Sequence, residues 1–251
     1  GEGIVRTVDN FGVRGERPSH ASLLDALAVD LMREGWRPKP LIRKIVLSDA
    51  YQRESLHDAE SAAADPENRL LWRANRKRVT AESIRDTMIS VAGQLSDEEP
   101  TEPVADKGVL VTKNNATSVE VRSGIERPVR TMYLPLIRGH VSPLLSTLDA
   151  ADPDLLVGKR PTTNVPAQTL VLLNHESVNR WAGLTATRII SECPSVSERI
   201  DAVYRRCLAR DPHESERDAA LELLEEAEIA EARLTDLIAA IFASTEFRLL
   251  D

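Results

Sequence analysis

The sequence predicts a mainly α fold, a helical bundle-like domain in which two helical blocks flank a small β insertion. Three observations carry that expectation. Apolar residues recur at three- and four-residue spacing along both ends of the chain. Aromatic residues make up only 4% of a chain that is 42% hydrophobic, which leaves the core to Leu, Ile, Val and Ala and suits helix packing better than a β-sandwich. Short β-branched runs separated by turn residues occur only in the middle.

The first block, residues 1–95, opens with "PSHASLLDALAVDLMREGW". Ser19 is placed to cap a helix, Leu23, Leu24, Leu27 and Leu31 form an apolar stripe, and Gly35 suits the position just past its end. "KPLIRKIVLSDAYQ" follows as a second helix with Pro40 in its first turn and Leu41, Ile42, Ile45 and Val46 on one side. The pair reads as an αα-hairpin turning at Trp36. Residues 56–66 are polar and Ala-rich and read as a surface loop. "DPENRLLWRANRKR" begins with an acidic turn, and helical spacing would put Arg69, Arg73 and Arg76 on one face, read as a solvated surface. "TAESIRDTMISVAGQL" is a strong helix, with Thr80 as N-cap and Ile84, Met88, Val91 and Leu95 on one face.

Residues 96–135 change texture. "SDEEPTEPVADKG" reads as a linker, and "GVLVT" and "TSVEV" as a hairpin turning at Asn114-Asn115. "VRTMYL" is a third strand candidate. Helices return in the second block, residues 136–251, which is expected to pack with the first block as one domain. Pro166 suits a first helical turn. "HESVNRWAGLTATRIISE" and "SVSERIDAVYRRCLAR" each read as one helix, and residues 213–247 as one long helix or two consecutive ones.

The net charge of −8 argues against nucleic acid as a partner, because a phosphate-binding surface needs clustered cations. No apolar run reaches the roughly 18 residues of a membrane-spanning helix. The two cysteines, Cys193 and Cys207, read as thiols rather than a disulfide. His20 and His175 fall near helix starts, and no histidine pair has zinc-ligand spacing, so no metal is expected.

The stretch from Asp149 to Asn174 concentrates the polar residues worth testing as a site. "VGKRPTT" is not a phosphate loop: Pro153 stands where a Gly is needed and Arg160 where a hydroxyl is needed. Asp149, Asp152 and Asp154 lack the Gly that sharpens a calcium loop and read as caps and turns. The two threonines and Gln168 read as satisfying backbone ends. Arg130, Arg138, Asp149, Asp152, Arg160, Thr162, Thr163 and Gln168 remain as a candidate polar pocket, with no catalytic role assigned to any of them.

Several motifs in order resemble one family. "FGVRGERPSHASLLDALA", "DPENRLLWRANRKR", "TTNVPAQTLVLLN", "LARDPHESERDAALELL" and "ASTEFRLLD" are together similar to the planctomycete-type domain of unknown function 1553. That resemblance implies the C-terminal module of a large exported protein, at the periplasm or cell surface, often with a cytochrome c-like domain and a second uncharacterised domain upstream. It supplies no catalytic residues. The chain lacks the Cys-x-x-Cys-His of haem attachment, so no cofactor is expected here and any haem belongs to an upstream module. The chain begins "GEGIVRT" and reads as a piece of something longer. The expected function is a non-catalytic accessory or interaction domain whose partners are upstream domains of the same polypeptide, or an envelope protein or glycan. Two alternatives stand beside it: part of a glycan-directed, hydrolase-like enzyme, and docking support for a cytochrome c-like module.

Overall fold

The computed structural model describes residues 2–98, 109–113, 116–120, 124–134, 141–225 and 230–250. Eleven α-helices are described: α1 (Ala21–Arg33), α2 (Pro38–Val46), α3 (Ala59–Ala64), α4 (Ala81–Val91), α5 (Pro143–Thr147), α6 (Pro166–Asn174), α7 (Glu176–Glu192), α8 (Val196–Leu208), α9 (Glu214–Glu225), α10 (Ala230–Ala243) and α11 (Thr245–Arg248). The strands are β1 (Lys77–Arg78), β2 (Val109–Lys113), β3 (Ala116–Glu120) and β4 (Leu249–Leu250). β2 and β3 pair antiparallel with Val111 opposite Ser118, the hairpin the alternating pattern predicts; its Asn114-Asn115 tip lies outside the described residues. The fold is mainly α with this small β element.

The chain forms two compact units, residues 1–77 with 249–251, and residues 78–248. The second holds the apolar core. α10 lies against α7 and α6, and α4 against α7 and α8. Ile84, Met88, Leu172, Ile189, Ile200, Leu234, Ile238 and Phe242 are fully buried there. Each such side chain removed from water contributes about 1.5–3 kcal/mol. The ends of these helices follow the sequence. Thr80 accepts from the Ser83 N–H at the start of α4, Pro166 opens α6, and His175 Nδ1 accepts from the Ser177 N–H at the start of α7. Ser195 and Glu198 form a reciprocal capping box on α8. Cys193 and Cys207 are free, and burial pushes the Cys207 thiol up to about 12.

At the centre of this unit sits a charge. Arg85 on α4 is 0% exposed. Its Nε donates to Ile125 O at 3.0 Å, and its Nη2 to Ile125 O at 2.8 Å and Arg127 O at 2.6 Å. Its Nη1 donates to Val129 O at 2.9 Å, Thr131 Oγ1 at 3.0 Å and Asp86 Oδ1 at 3.0 Å. Asp86 in turn accepts from the Thr131 N–H at 2.9 Å and its hydroxyl at 2.5 Å. Burial pushes the Arg85 pKa down, opposed by the Asp86 charge, and the guanidinium stays protonated because its ordinary value is so high.

The first unit is built differently. α1 ends with the Gly35 N–H on Met32 O and the Trp36 N–H on Leu31 O, and both Gly35 and Trp36 take positive φ. α2 returns beside α1, with Lys44 paired to Asp30. The motif at residues 65–75 is a hydrogen-bonded loop. Asp65 accepts from the Arg69 and Leu70 N–H groups, and Trp72 Nε1 donates to Asp65 O. Asn68 bridges to Arg73 O and Asn75.

Four local expectations are corrected. Residues 56–66 are not all loop, because Asp58 caps α3 through the Ser61 N–H and the Ala-rich run that follows favours helix. Arg69, Arg73 and Arg76 share no helix face, since Asn68 and Leu71 adopt left-handed φ that breaks the helical path. Ser19 caps nothing: its N–H and hydroxyl both point at Ile4 O, and α1 starts after His20 without a side-chain cap. Residues 129–134 form no ladder beyond a single Val129–Ser96 bridge, and Thr131–Tyr133 is a 3-10 turn because Asp86 takes the Thr131 N–H.

Replacing Arg85 with Met keeps its length but strips three backbone carbonyls and Asp86 of their donor. Urea denaturation should show a loss of about 3–5 kcal/mol, the range for breaking one side of a buried pair.

Candidate functional site

The polar residues that converge lie where the end of α5, the segment before α6, and the start of α4 meet. α5 closes with two bonds: Asp149 N–H to Ser146 O at 3.2 Å, and Ala150 N–H to Leu145 O at 3.0 Å. That closure requires the residue after the C-cap to be left-handed, and Asp149 has φ +63°. Gly usually fills such a position. Asp and Asn tolerate it, and here the side chain has a second task.

Asp149 is held on every side. Arg78 Nη1 donates to its Oδ2 at 2.7 Å, the Thr163 N–H to Oδ2 at 2.8 Å, and the Thr163 hydroxyl to Oδ2 at 2.9 Å. Gln168 Nε2 donates to Thr163 Oγ1 at 2.9 Å and reaches Asp149 Oδ2 at 3.3 Å. Arg78 also donates to Thr163 O. The Arg78 and Asp149 side chains are 10% and 15% exposed, and Gln168 is 0% exposed. Behind Gln168 lies Arg248 of α11, itself buried, whose Nη1 reaches Gln168 Oε1 at 3.4 Å and Nη2 Thr169 Oγ1 at 3.2 Å. Burial alone would raise the Asp149 carboxyl; the Thr163 N–H, the Arg78 guanidinium and the Thr163 hydroxyl outweigh it and hold the pKa below the usual carboxylate value.

Beside this knot is a cleft of about 70 Å³ at the N-terminus of α4, lined by residues 78–81, 148–149 and 160–162. Arg160 Nη1 closes one side by donating to Glu82 Oε1 at 2.8 Å and Oε2 at 3.0 Å. Neither histidine, cysteine nor lysine lines the cleft.

Of the eight residues the sequence nominates, Asp149, Thr163 and Gln168 meet in one hydrogen-bonded cluster, and Arg160 and Thr162 line the adjoining cleft. Asp152 stands apart, its Oδ1 accepting from the Asp154 N–H at 2.8 Å in a local turn. Arg130 is exposed at the start of the 3-10 turn and does not line the cleft. Arg138 lies outside the described residues. Thr163 and Gln168 do not serve exposed backbone ends as expected; both are spent on Asp149, because α6 starts with Pro166 and α5 already closes its own carbonyls.

Two contributors were missed. Arg78 reads in sequence as the end of a solvated basic run, yet it is the ion-pair partner of Asp149, 71 residues away. Arg248 interrupts the apolar run "FRLL"; a lone cation among large apolar residues was the available sign of burial. No group of three or more His, Cys, Asp or Glu among the described residues is arranged to hold a metal ion, and no described helix is long and apolar enough to cross a membrane.

Fold and site together define a mainly α module with a hydrogen-bonded polar knot built around Asp149. The chain belongs to a family of proteins of unknown function, DUF1553 (PSD1), whose model matches residues 1–224. No curated protein and no solved structure matches it.

Asp149→Asn preserves shape and tolerance of left-handed φ but removes the charge facing Arg78. It should cost about 2 kcal/mol at neutral pH in denaturant titration. A carboxylate whose folded pKa is depressed stabilises fully above its unfolded value, near 3.9, and loses that contribution as pH falls through the folded value. The difference between the natural protein and the Asn variant should therefore hold constant above about pH 5 and shrink below about pH 4.

Proposed function

We propose that this chain is a non-catalytic accessory module of an exported multidomain protein, and that it works by packing onto an upstream domain of the same polypeptide. One observation carries the reading: among the described residues of the first unit, only Ser55 and Asn68 are buried, and both are polar. α1 and α2 each have no buried residue. Trp36 is 71% exposed, Ile42 56% and Leu47 60%, with Leu23, Met32 and Tyr51 also exposed.

Ordering backbone costs about 1–2 kcal/mol per residue. Folded segments offset that mainly by burying apolar side chains, and the hairpin has the apolar residues without the burial. Exposed apolar side chains concentrated in one hairpin are characteristic of an interaction surface. Trp36 strengthens the argument. It holds a left-handed φ of 61°, unusual for a bulky residue, at the tip of the hairpin, and exposed Trp is a common binding anchor. The resemblance to exported proteins with further domains upstream supports the choice of an upstream partner and of an exported setting in this reading. In this reading any haem sits in a cytochrome c-like module upstream. The polar knot supports the non-catalytic half of the proposal, since Asp149, Thr163 and Gln168 are engaged with one another and with Arg78 and Arg248.

The test is association in trans with the polypeptide encoded immediately upstream, followed by sedimentation. Trp36→Ala combined with Ile42→Asp should abolish the complex while changing the stability of the chain by about 0.5 kcal/mol or less, as exposed substitutions do. Turnover of polysaccharides or sulfated glycans by this chain, abolished by Asp149→Asn or Thr163→Val in a variant that remains folded, would overturn the non-catalytic reading.

A further inference from the structure

We propose that the upstream protein surface receiving the α1–α2 hairpin is an apolar patch bordered by carboxylates. This rests on the docking reading above and adds the chemistry of the partner; docking can stand if the charge assignment fails.

The first argument is local charge. From Trp36 to Leu47 the chain carries four basic residues, Arg37, Lys39, Arg43 and Lys44, and no acidic one, within a protein of net charge −8. Two of the four are neutralised inside the hairpin, Arg37 by Glu34 at 3.2 Å and Lys44 by Asp30. Lys39 and Arg43 are exposed, and among the described residues neither has an ion-pair partner.

The second argument is placement. Pro40, Leu41 and Lys44 of α2 face α1, where they line a shallow cleft with Asp30, Arg33 and Glu34. The opposite side of α2 is exposed and carries two rows. Lys39 and Arg43 stand one turn apart, and Ile42 and Val46 stand one turn apart in the adjoining row. An apolar row flanked by cations is the arrangement of an interface centre and its rim. Lysine and arginine stems extend the apolar cover, while their heads stay in water and meet opposite charge across the contact.

The third argument is rigidity. The turn into α2 is fixed by the Gly35 and Trp36 N–H groups on Met32 O and Leu31 O, and by Arg37 Nε, which donates to Glu34 O at 2.9 Å. Pro38 then opens the helix. A turn held in this way presents both rows in one orientation and lowers the ordering cost of binding.

Range selects a protein surface over other polyanions. Charges act over about 8 Å at physiological ionic strength, so a partner face of limited size senses Lys39 and Arg43 alone. An anionic bilayer is an extended negative plane, which would also meet the exposed Asp25 and Asp49 and the field of an acidic chain.

The experiment measures the affinity of the whole chain for the polypeptide encoded immediately upstream at low and at high salt. Binding is expected to weaken as salt rises. Lys39→Glu combined with Arg43→Glu should weaken it about tenfold at low salt and remove most of the salt dependence, as reversing two rim charges does. Arg130→Glu combined with Arg233→Glu makes the same change in net charge at exposed positions of the second unit, and is expected to bind like the natural protein. A complex whose affinity ignores salt, or is weakened equally by both pairs, overturns the carboxylate rim and leaves docking intact. Absence of any complex overturns the docking reading and this inference with it. Vesicles containing phosphatidylserine are expected to leave the chain in the supernatant on sedimentation; pelleting that the Lys39→Glu and Arg43→Glu pair removes would assign the surface to a membrane and overturn the proposal.

Discussion

A guanidinium at zero exposure needs a donor-by-donor answer, and the answer given to Arg85 organises the second unit. Six hydrogen bonds leave its three nitrogens, four of them to the carbonyls of Ile125, Arg127 and Val129. Those carbonyls belong to an irregular segment that would otherwise have to be solvated. The arginine thus fixes the path of residues 124–131 along α4, and Asp86 completes the arrangement by holding Thr131. The guanidinium carbon also lies 5.9 Å from the Trp181 ring centroid on α7, so the same charge meets the helix against which α4 packs. Helix packing by Ile84 and Met88 supplies the burial; Arg85 selects which loop goes with it.

Asp149 repeats that logic on a smaller scale. A glycine after the C-cap of α5 would make the turn more cheaply, since φ +63° strains any residue with a side chain. The aspartate recovers the difference by tying residues 78, 163 and 168, which are distant in sequence, to the end of one short helix. The result is a rigid wall for the α4 cleft. Its polar side chains are also its structural members, so substitution there changes stability.

What sequence reasoning could and could not see follows from range. Patterns set by neighbouring residues were legible: Thr80 capping α4, the Ile84–Met88–Val91 face, the β2–β3 pairing, Pro166 opening α6 and His175 at the start of α7. The Asp149 stretch was legible as polar and non-helical, and three of its nominated residues do converge. Its partners were not, because nothing local links Arg78 or Arg248 to residue 149. Arg85 escaped for the same reason: on a helical wheel it is one more charged residue, and only the carbonyls 40 to 44 positions away explain its burial. Asp58 and Asp65 mark the converse error, where single carboxylates capping one and two N–H groups redirected segments whose composition suggested loop and helix respectively.

The two units answer the same entropy cost in different ways, and that difference bears on function. The second buries Ile, Leu, Val and Phe around α10 and holds its polar clusters against that close-packed frame. The first relies on hydrogen bonds such as those of Asp65, Asn68 and Trp72, which are worth about 0.5–1.5 kcal/mol net each because water competes for the same groups. Hydrogen bonds of that size cannot replace an apolar core across a unit made of residues 1–77 and 249–251. The apolar side chains needed for one are present in α1 and α2 and face outward at the surface. A surface that completes its own core by docking gains folding energy and binding energy from the same contact, so under the proposed docking the hairpin is expected to be most ordered in the complex.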